Sequence, residues 1–347
     1  MGLKPTENEP CLFHGSFEKK LVLLLVYVDD LLIASHEVKI IHKLKQQLLN
    51  DFDIKDIGRA NYCLGLKIHQ KDDVITLKQS GYIQELLKTY GMSQCNPVAT
   101  PSELNVNFDR NNPSNDEACP YRELIGALMY LSVATRPDIA NTVSRLAQFV
   151  TNPSKCHWNT AKRVLRYLAG TANRCVLYQK SNLPLIGYTD ADWAGCTTDR
   201  RSYTGYAFLL SGAVISWKSQ KQRTVALSST EAEYVSLAEA AKEAVYLRSL
   251  LNEIVLQELT DIKIYVDNRG AHCLANDPVF HARTKHRYQA SLCKREHQRT
   301  VILIEARTYT GDDCRCYDET VGASKSREMS YRAWFTHLDD LHIERAC

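Results

Sequence analysis

Among twelve cysteines the chain has no Cys-x-x-Cys pair, and the closest two, Cys314 and Cys316, are separated by one residue. That spacing excludes the common zinc-finger ligand sets. Charge of one sign is lacking as well: 43 Lys and Arg face 40 Asp and Glu, for a net charge of +3. Overall charge therefore does not mark a nucleic-acid binder, and any basic surface has to be local. No internal repeat is present. The strongest apolar run, Leu21 to Val28, falls far short of the roughly 20 residues of a membrane span, and Asp29 and Asp30 end it. No membrane partner is expected. No signal peptide opens the sequence, so the expected location is intracellular, in cytoplasm or nucleus and not secreted, with free thiols.

What is present is ordinary globular composition: 347 residues, 44% hydrophobic and 24% charged. That is enough chain for two domains. Residues 21–35 read as two apolar strands, LVLLLVYV and LLIAS, around a tight turn at Asp29-Asp30. A helix is expected over about 37–50, where Ile40, Ile41, Leu44 and Leu48 are spaced by three and four. Strands fit CLGLKI and DVITLK, with a polar turn between them, and a helix fits 80–90, ending at Gly91. Residues 93–120 are rich in Pro, Asn, Ser and Asp without periodicity, which reads as a linker. From Tyr121 to about Leu168 the periodicity is helical, with breaks at Arg136-Pro137 and Asn152-Pro153. Strands are then expected at PLIGYTD, YTGYAFLL, AVISWKS and TVALSS, with a hairpin turn at Ser211-Gly212. A helix over about 229–254 and a strand at IKIYVD follow, and residues 287–347 show no sustained period.

Asp190 and Asp267 each end an apolar strand. On the intervening helix, positions 233, 237, 240, 244, 247 and 251 share one face, so Glu233 heads the stripe that must pack on the sheet. Glu231 shares a less apolar face with Val235, Ala238 and Lys242, nearer to water. Three carboxylates so placed suit a hard cation such as Mg²⁺ (or Mn²⁺), and two such ions serve phosphodiester hydrolysis. Each acid alone also fits a solvated turn, and Glu231 and Glu233 fit capping boxes with Ser228 and Thr230 three positions before them. Tyr27-Val28-Asp29-Asp30 sets two acids at a hairpin tip, where they repel each other unless a cation or water serves them.

LLVYVDDLLIAS resembles the catalytic hairpin of reverse transcriptases. CLGLKI, YRELIGALMYL, TRPDIA, AKRVLRYLAGT, DADWAG, DRRSYTGY, ISWKSQKQ, ALSSTEAEY and FHARTKH resemble segments of copia-type LTR retrotransposon Pol polyproteins, in that family's order, over roughly residues 10–286. The resemblance implies an α+β or α/β chain. Residues 1–92 would be a reverse-transcriptase palm remnant, 93–120 a linker, and 121–180 a helical thumb or connection region. Residues 181–286 would form an RNase H-like mixed sheet flanked by helices, and 287–347 an aberrant, poorly ordered tail. It also implies that Asp190, Glu233 and Asp267 hold the RNase H metals, and that Asp29 and Asp30 are paired polymerase ligands. Asp192 stays outside that set. Lys162, Arg163 and Arg166, and Lys218, Lys221 and Arg223, are candidates for contact with an RNA–DNA hybrid or other nucleic acid.

The sequence departs from the family in two places. The polymerase's further aspartate, implied about a hundred residues upstream, falls before this sequence. After Thr284-Lys285-His286 the family continues with Ile-Asp, its fourth RNase H ligand, whereas Arg287-Tyr288 stands here and the likeness stops at once. A reading-frame slip or mistaken gene boundary accounts for so abrupt an end. Asp312, Asp313, Asp339 and Asp340 are the acids available beyond it, and His286 is a candidate for proton transfer. Two readings follow: a metal-dependent ribonuclease H on a Pol fragment, or an inactive transposon relic or nucleic-acid-binding module of the same ancestry.

Overall fold

The structure is a computed structural model that describes residues 2–71, 73–103, 119–181, 183–196, 198–255, 261–276, 301–306 and 342–346. The amino-terminal part builds a sheet from local hairpins: β1 (Lys4–Pro5), β2 (Leu12–Phe17), β3 (Lys20–Tyr27) and β4 (Asp30–Ser35) run antiparallel in that order. Tyr27 pairs with Asp30, so the turn is Val28-Asp29 and not the expected Asp29-Asp30. Helix α1 (Val38–Asp51) packs on this sheet, its Ile40, Ile41, Leu44 and Leu48 forming one core with Val22, Leu24 and Ile33. The three-and-four spacing of those residues puts them on a single stripe, which is why the helix has one buried face. After β5 (Asp56–Arg59), a second sheet follows: β6 (Tyr62–Cys63), β7 (Leu66–Lys71) and β8 (Val74–Lys78), then helix α2 (Ser80–Thr89).

The helical unit consists of α3 (Tyr121–Ala134), a 3-10 turn at Pro137–Ile139, α4 (Ala140–Ala147) and α5 (Lys155–Gly170). Its core joins Leu124, Leu128, Leu131, Leu146, Val164 and Leu168 with Ile83 and Leu87 of α2. Both expected breaks occur, the first because Pro137 lacks the N–H that a continuous helix needs. At that break Arg136 is only 2% exposed. Its Nε and Nη2 donate to Asp138 at 2.9 and 2.8 Å, and its Nη1 and Nη2 to the Thr171 carbonyl and hydroxyl at 3.2 and 2.6 Å. Tyr167 and Arg174 also donate to Asp138. The Thr-Arg-Pro-Asp segment is thus a structural lock between two helices.

Two regions differ from expectation. The stretch 93–103 is not a free linker, since Cys95 and Val98 pack on the helical core; residues 104–118 lie outside the described residues. Within 121–180, β9 (Val176–Gln179) is a strand that returns to pair with β8. Four residues are too short a run to stand out beside a long helical signal.

The remaining strands form a mixed sheet in the order β12-β11-β10-β13-β14. β10 (Ile186–Asp192), β11 (Tyr203–Leu210) and β12 (Ala213–Lys221) are antiparallel. Ser211 and Gly212, both at positive φ (52° and 75°), make the expected two-residue turn. Helix α6 (Ser229–Val255) leads to β13 (Asp261–Val266), parallel to β10, and α7 (Arg269–Asn276) to β14 (Val301–Ala306), parallel to β13. Leu237, Ala240, Ala244 and Leu247 of α6 pack on Phe208, Ile262, Ile264 and Ile302. This is the mixed sheet with flanking helices that the resemblance implies.

TVALSS is not a strand. Val225 and Leu227 are exposed, and Ser228 accepts a hydrogen bond from the Glu231 amide while Glu231 accepts one from the Leu227 amide. Helix capping overrides the β-branched signal there. Two segments within 287–347 are strands. Val301–Ala306 is the fifth strand of the mixed sheet, and β15 (His342–Ala346) lies between β4 and β5. Single runs of five or six residues carry no sustained period, so periodicity alone misses them.

The parts are joined by side chains of distant origin. Ile254 of α6 packs among Leu12, Leu21 and Leu23, Tyr246 donates to Glu9 at 2.6 Å, and Trp217 Nε1 donates to the Ser132 carbonyl at 2.7 Å. Among the described residues no helix is long and apolar enough to cross a membrane.

Burial alone would raise the Asp138 pKa, but hydrogen bonds from Arg136 and Tyr167 and the charges of Arg136 and Arg174 hold it below the ordinary value. Its contribution to stability is therefore present above the unfolded value of 3.8 and lost as pH falls through the lower folded value. Asp138→Asn leaves the buried Arg136 charge uncompensated. It should cost roughly 3 kcal/mol in chemical denaturation near neutral pH, with a smaller difference from the native chain in acid.

Candidate metal centre

The parallel pairing of β10 with β13 sets Tyr188 opposite Tyr265. Side chains alternate along a strand. Asp190 and Asp267, each two residues further on, therefore emerge side by side at the same end of the sheet, Asp267 just past the end of β13. Their Tyr188 and Tyr265 neighbours stack with ring centres 5.2 Å apart. Helix α6 brings the third acid. One turn beyond Glu233, the Ser236 hydroxyl is fully buried and donates to the backbone carbonyl of Asp190 at 2.7 Å; it also lies 2.8 Å from the Thr189 hydroxyl. Gln222, also buried, donates to the Ala232 carbonyl at 2.9 Å and to the Thr204 hydroxyl at 3.1 Å. These two clamps fix the start of the helix against β10 and β11.

As a result, Asp190, Glu233 and Asp267 each offer a carboxylate oxygen, and these oxygens lie within 4.8 Å of one another. Asp190 and Asp267 are exposed, while Glu233 is 6% exposed and its Oε2 is buried without a hydrogen-bond partner. Burial pushes the Glu233 pKa up to about 8, helped by the negative charges of Asp190 and Asp267. Asp267 is also raised, by burial first and then by Asp190. A cleft of about 360 Å³ opens here, walled by Tyr188, Tyr206, Tyr265 and Val266 and reaching Asp190 and Asp267. Converging oxygens, an unpartnered buried oxygen on Glu233 and mutual repulsion are what a hard divalent cation relieves. The residues fit such an ion.

Other candidates lie elsewhere. Asp192 pairs with Arg145 of α4 at 2.8 Å, tying the helical unit to β10. Glu231 caps α6. Asp29 is exposed at the β3–β4 turn, and Asp30 is held by Arg345 at 2.5 Å; among the described residues neither joins a cluster of three metal-ligating side chains. Arg163 binds Glu103 and Thr100, and Arg166 donates to the Asn96 carbonyl, so two of the three basic candidates on α5 hold the 93–103 stretch. The Lys162 ammonium lies over the Trp158 ring at 5.8 Å. Lys221 is occupied by Asp199 and Gln148, both at 2.9 Å, whereas Lys218 and Arg223 are exposed. His286, Asp312, Asp313, Asp339 and Asp340 lie outside the described residues. Sequence reasoning passed over Ser236 and Gln222. A serine on the buried side of an amphipathic helix was the available signal for the first, and nothing local marked the second.

The family model described as reverse transcriptase (RNA-dependent DNA polymerase) matches residues 1–104. The Retrovirus-related Pol polyprotein from transposon TNT 1-94 of Nicotiana tabacum is 40% identical over 291 residues, covering 81% of this chain and 22% of that protein. The putative transposon Ty5-1 protein of Saccharomyces cerevisiae is 35% identical over 245 residues, covering 68% of this chain and 78% of its own. The chain spans about a fifth of the length of the plant Pol polyproteins it matches. Among solved structures, the foamy viral protease-reverse transcriptase in complex with RNA/DNA hybrid aligns over 87% of this chain and 38% of that one, at 15% identity and a TM-score of 0.47.

Because the Glu233 pKa is raised, the folded chain keeps a proton that the unfolded chain releases. That contribution is complete below the unfolded value of 4.5 and is lost as pH rises through about 8. Glu233→Gln holds the neutral form throughout. In divalent-free buffer it should lose less melting temperature than the native chain between about pH 5 and about pH 9, each kcal/mol relieved being worth roughly 2–4 °C.

Proposed function

The chain belongs to the copia-type retrotransposon Pol polyprotein family, and from that premise we propose that its mixed-sheet part is a ribonuclease H unit. The substrate class is an RNA–DNA hybrid, of which the RNA strand is hydrolysed. The observation that carries this reading is the cluster of Asp190, Glu233 and Asp267, whose oxygens converge within 4.8 Å from three separate elements. Asp190, Glu233 and Asp267 would hold a pair of Mg²⁺ (or Mn²⁺) ions, which would activate a water and stabilise the leaving oxygen.

The protein's own residues do the positioning. Asp190 and Asp267 face the cleft from adjacent parallel strands, and Glu233 closes the set from the helix. Ser236 and Gln222 keep these elements in register. Lys218 and Arg223, exposed on and just after β12, are basic side chains available to contact phosphates.

The test is cleavage of end-labelled RNA annealed to DNA, with Mg²⁺ added and withheld. Cleavage is expected only with the ion, and Asp190→Asn should lower the rate by on the order of 10²-fold or more. No cleavage from a chain that melts cooperatively would instead support the inactive relic, whose family likeness stops at His286.

A further inference from the structure

β4 and β5 do not bond to each other; β15 lies between them and pairs antiparallel with both. On β4 the register runs from His342 opposite Ser35 to Ala346 opposite Leu31. On β5 it runs from Glu344 opposite Arg59 to Ala346 opposite Asp56, with an irregularity at Arg345/Ala346. All other strands of this sheet come from residues 4–59. Among the described side chains, the buried residues of the cluster beneath them lie at 22–48 in β3, β4 and α1, and Ala346 of β15 is itself fully buried. Taking β15 away would leave two strand edges facing each other across a gap one strand wide, with their ladder groups unpaired.

We infer that this gap is an acceptor site for an extended peptide strand, with segment 342–346 of the chain as its resident ligand. Backbone pairing on two sides supplies binding of the strand-addition kind, and side chains select the sequence. Two side-chain contacts do so here. Ala346 is fully buried, which limits that position to a small residue. Arg345 donates to Asp30 through Nε at 3.0 Å and Nη2 at 2.5 Å, and through Nη1 to the Tyr62 carbonyl at 2.8 Å, so one guanidinium spans β4 and β6. Asp30 thereby reads an arginine on the incoming strand. The occupied gap also engages one of the two acids at the β3–β4 tip. This site lies on a different sheet from the carboxylate cluster and does not depend on its activity.

The test uses the full chain and a fluorescent peptide of residues 340–347. Arg345→Glu should loosen the resident strand, and the chain should then bind the peptide saturably. The native chain should bind it at least tenfold more weakly, because its own strand competes. Adding Asp30→Asn to Arg345→Glu should weaken peptide binding at least tenfold, and a peptide with Glu at the arginine position should not bind. Hydrogen exchange on the unmutated chain gives a check that needs no variant: amides of 31–35 and 342–346 should be protected together. Protection of 31–35 without 342–346 would overturn the inference, as would peptide binding unaffected by Asp30→Asn. A dimer whose 342–346 protection is lost on dilution would assign the resident strand to a second copy and overturn it as well.

Discussion

Bringing carboxylates together costs free energy, most of all for the buried Glu233, and it is held beside the exposed Asp190 and Asp267 against that cost. Sheet order, helix docking and capping around them can be understood as the means of holding them there. The two aspartates come from neighbouring parallel strands, which fixes their separation by backbone hydrogen bonding and not by side-chain choice. Glu233 comes from a helix whose apolar stripe contributes the driving force for docking, while Ser236 sets where along β10 the helix sits. A buried hydroxyl bonded to the backbone of a site residue is a short, stiff link. It leaves Glu233 Oε2 desolvated with no partner, a state that is unfavourable for a structural glutamate and useful for a cation ligand.

The helical unit supports this part from one side. Its internal stability rests on a second buried electrostatic arrangement, in which the Arg136 charge is met by Asp138 and by the carbonyl and hydroxyl of Thr171. Here opposite charges and four hydrogen bonds make burial tolerable, in contrast to the like charges of the carboxylate cluster. Trp217 on β12 and the pair of Arg145 with Asp192 then tie the unit to the mixed sheet. Several basic residues that look available for nucleic acid are engaged in such ties. Arg163 and Arg166 fasten the 93–103 stretch, and Lys221 is held by Asp199. Formal charge along a helix is therefore a poor guide to a binding face, because the partners come from far away in sequence.

The amino-terminal sheet shows the same contrast on a smaller scale. Its hairpins and α1 follow from local alternation and three-and-four spacing, and they are where that spacing puts them. The strand between β4 and β5 is contributed from more than 280 residues away and has no local signature. Asp30 accordingly has a partner that inspection of the Tyr-Val-Asp-Asp turn does not suggest.

Residue order alone determined the long helices, the β10–β12 meander with its Ser211-Gly212 turn, and the face on which Glu233 lies. Each depends on a period or a turn preference within a few residues. The ordered family segments also point to the three acids. Tertiary structure decided that their oxygens converge, that Glu231 caps a helix while Glu233 faces the cluster, and that Ser236 and Gln222 set the geometry. It also decided that β9, β14 and β15 exist as strands. The physical reason is that a strand needs a neighbour's backbone and a charge needs a neighbour's charge. For these residues the neighbours are tens to hundreds of positions away, where only the folded chain brings them together.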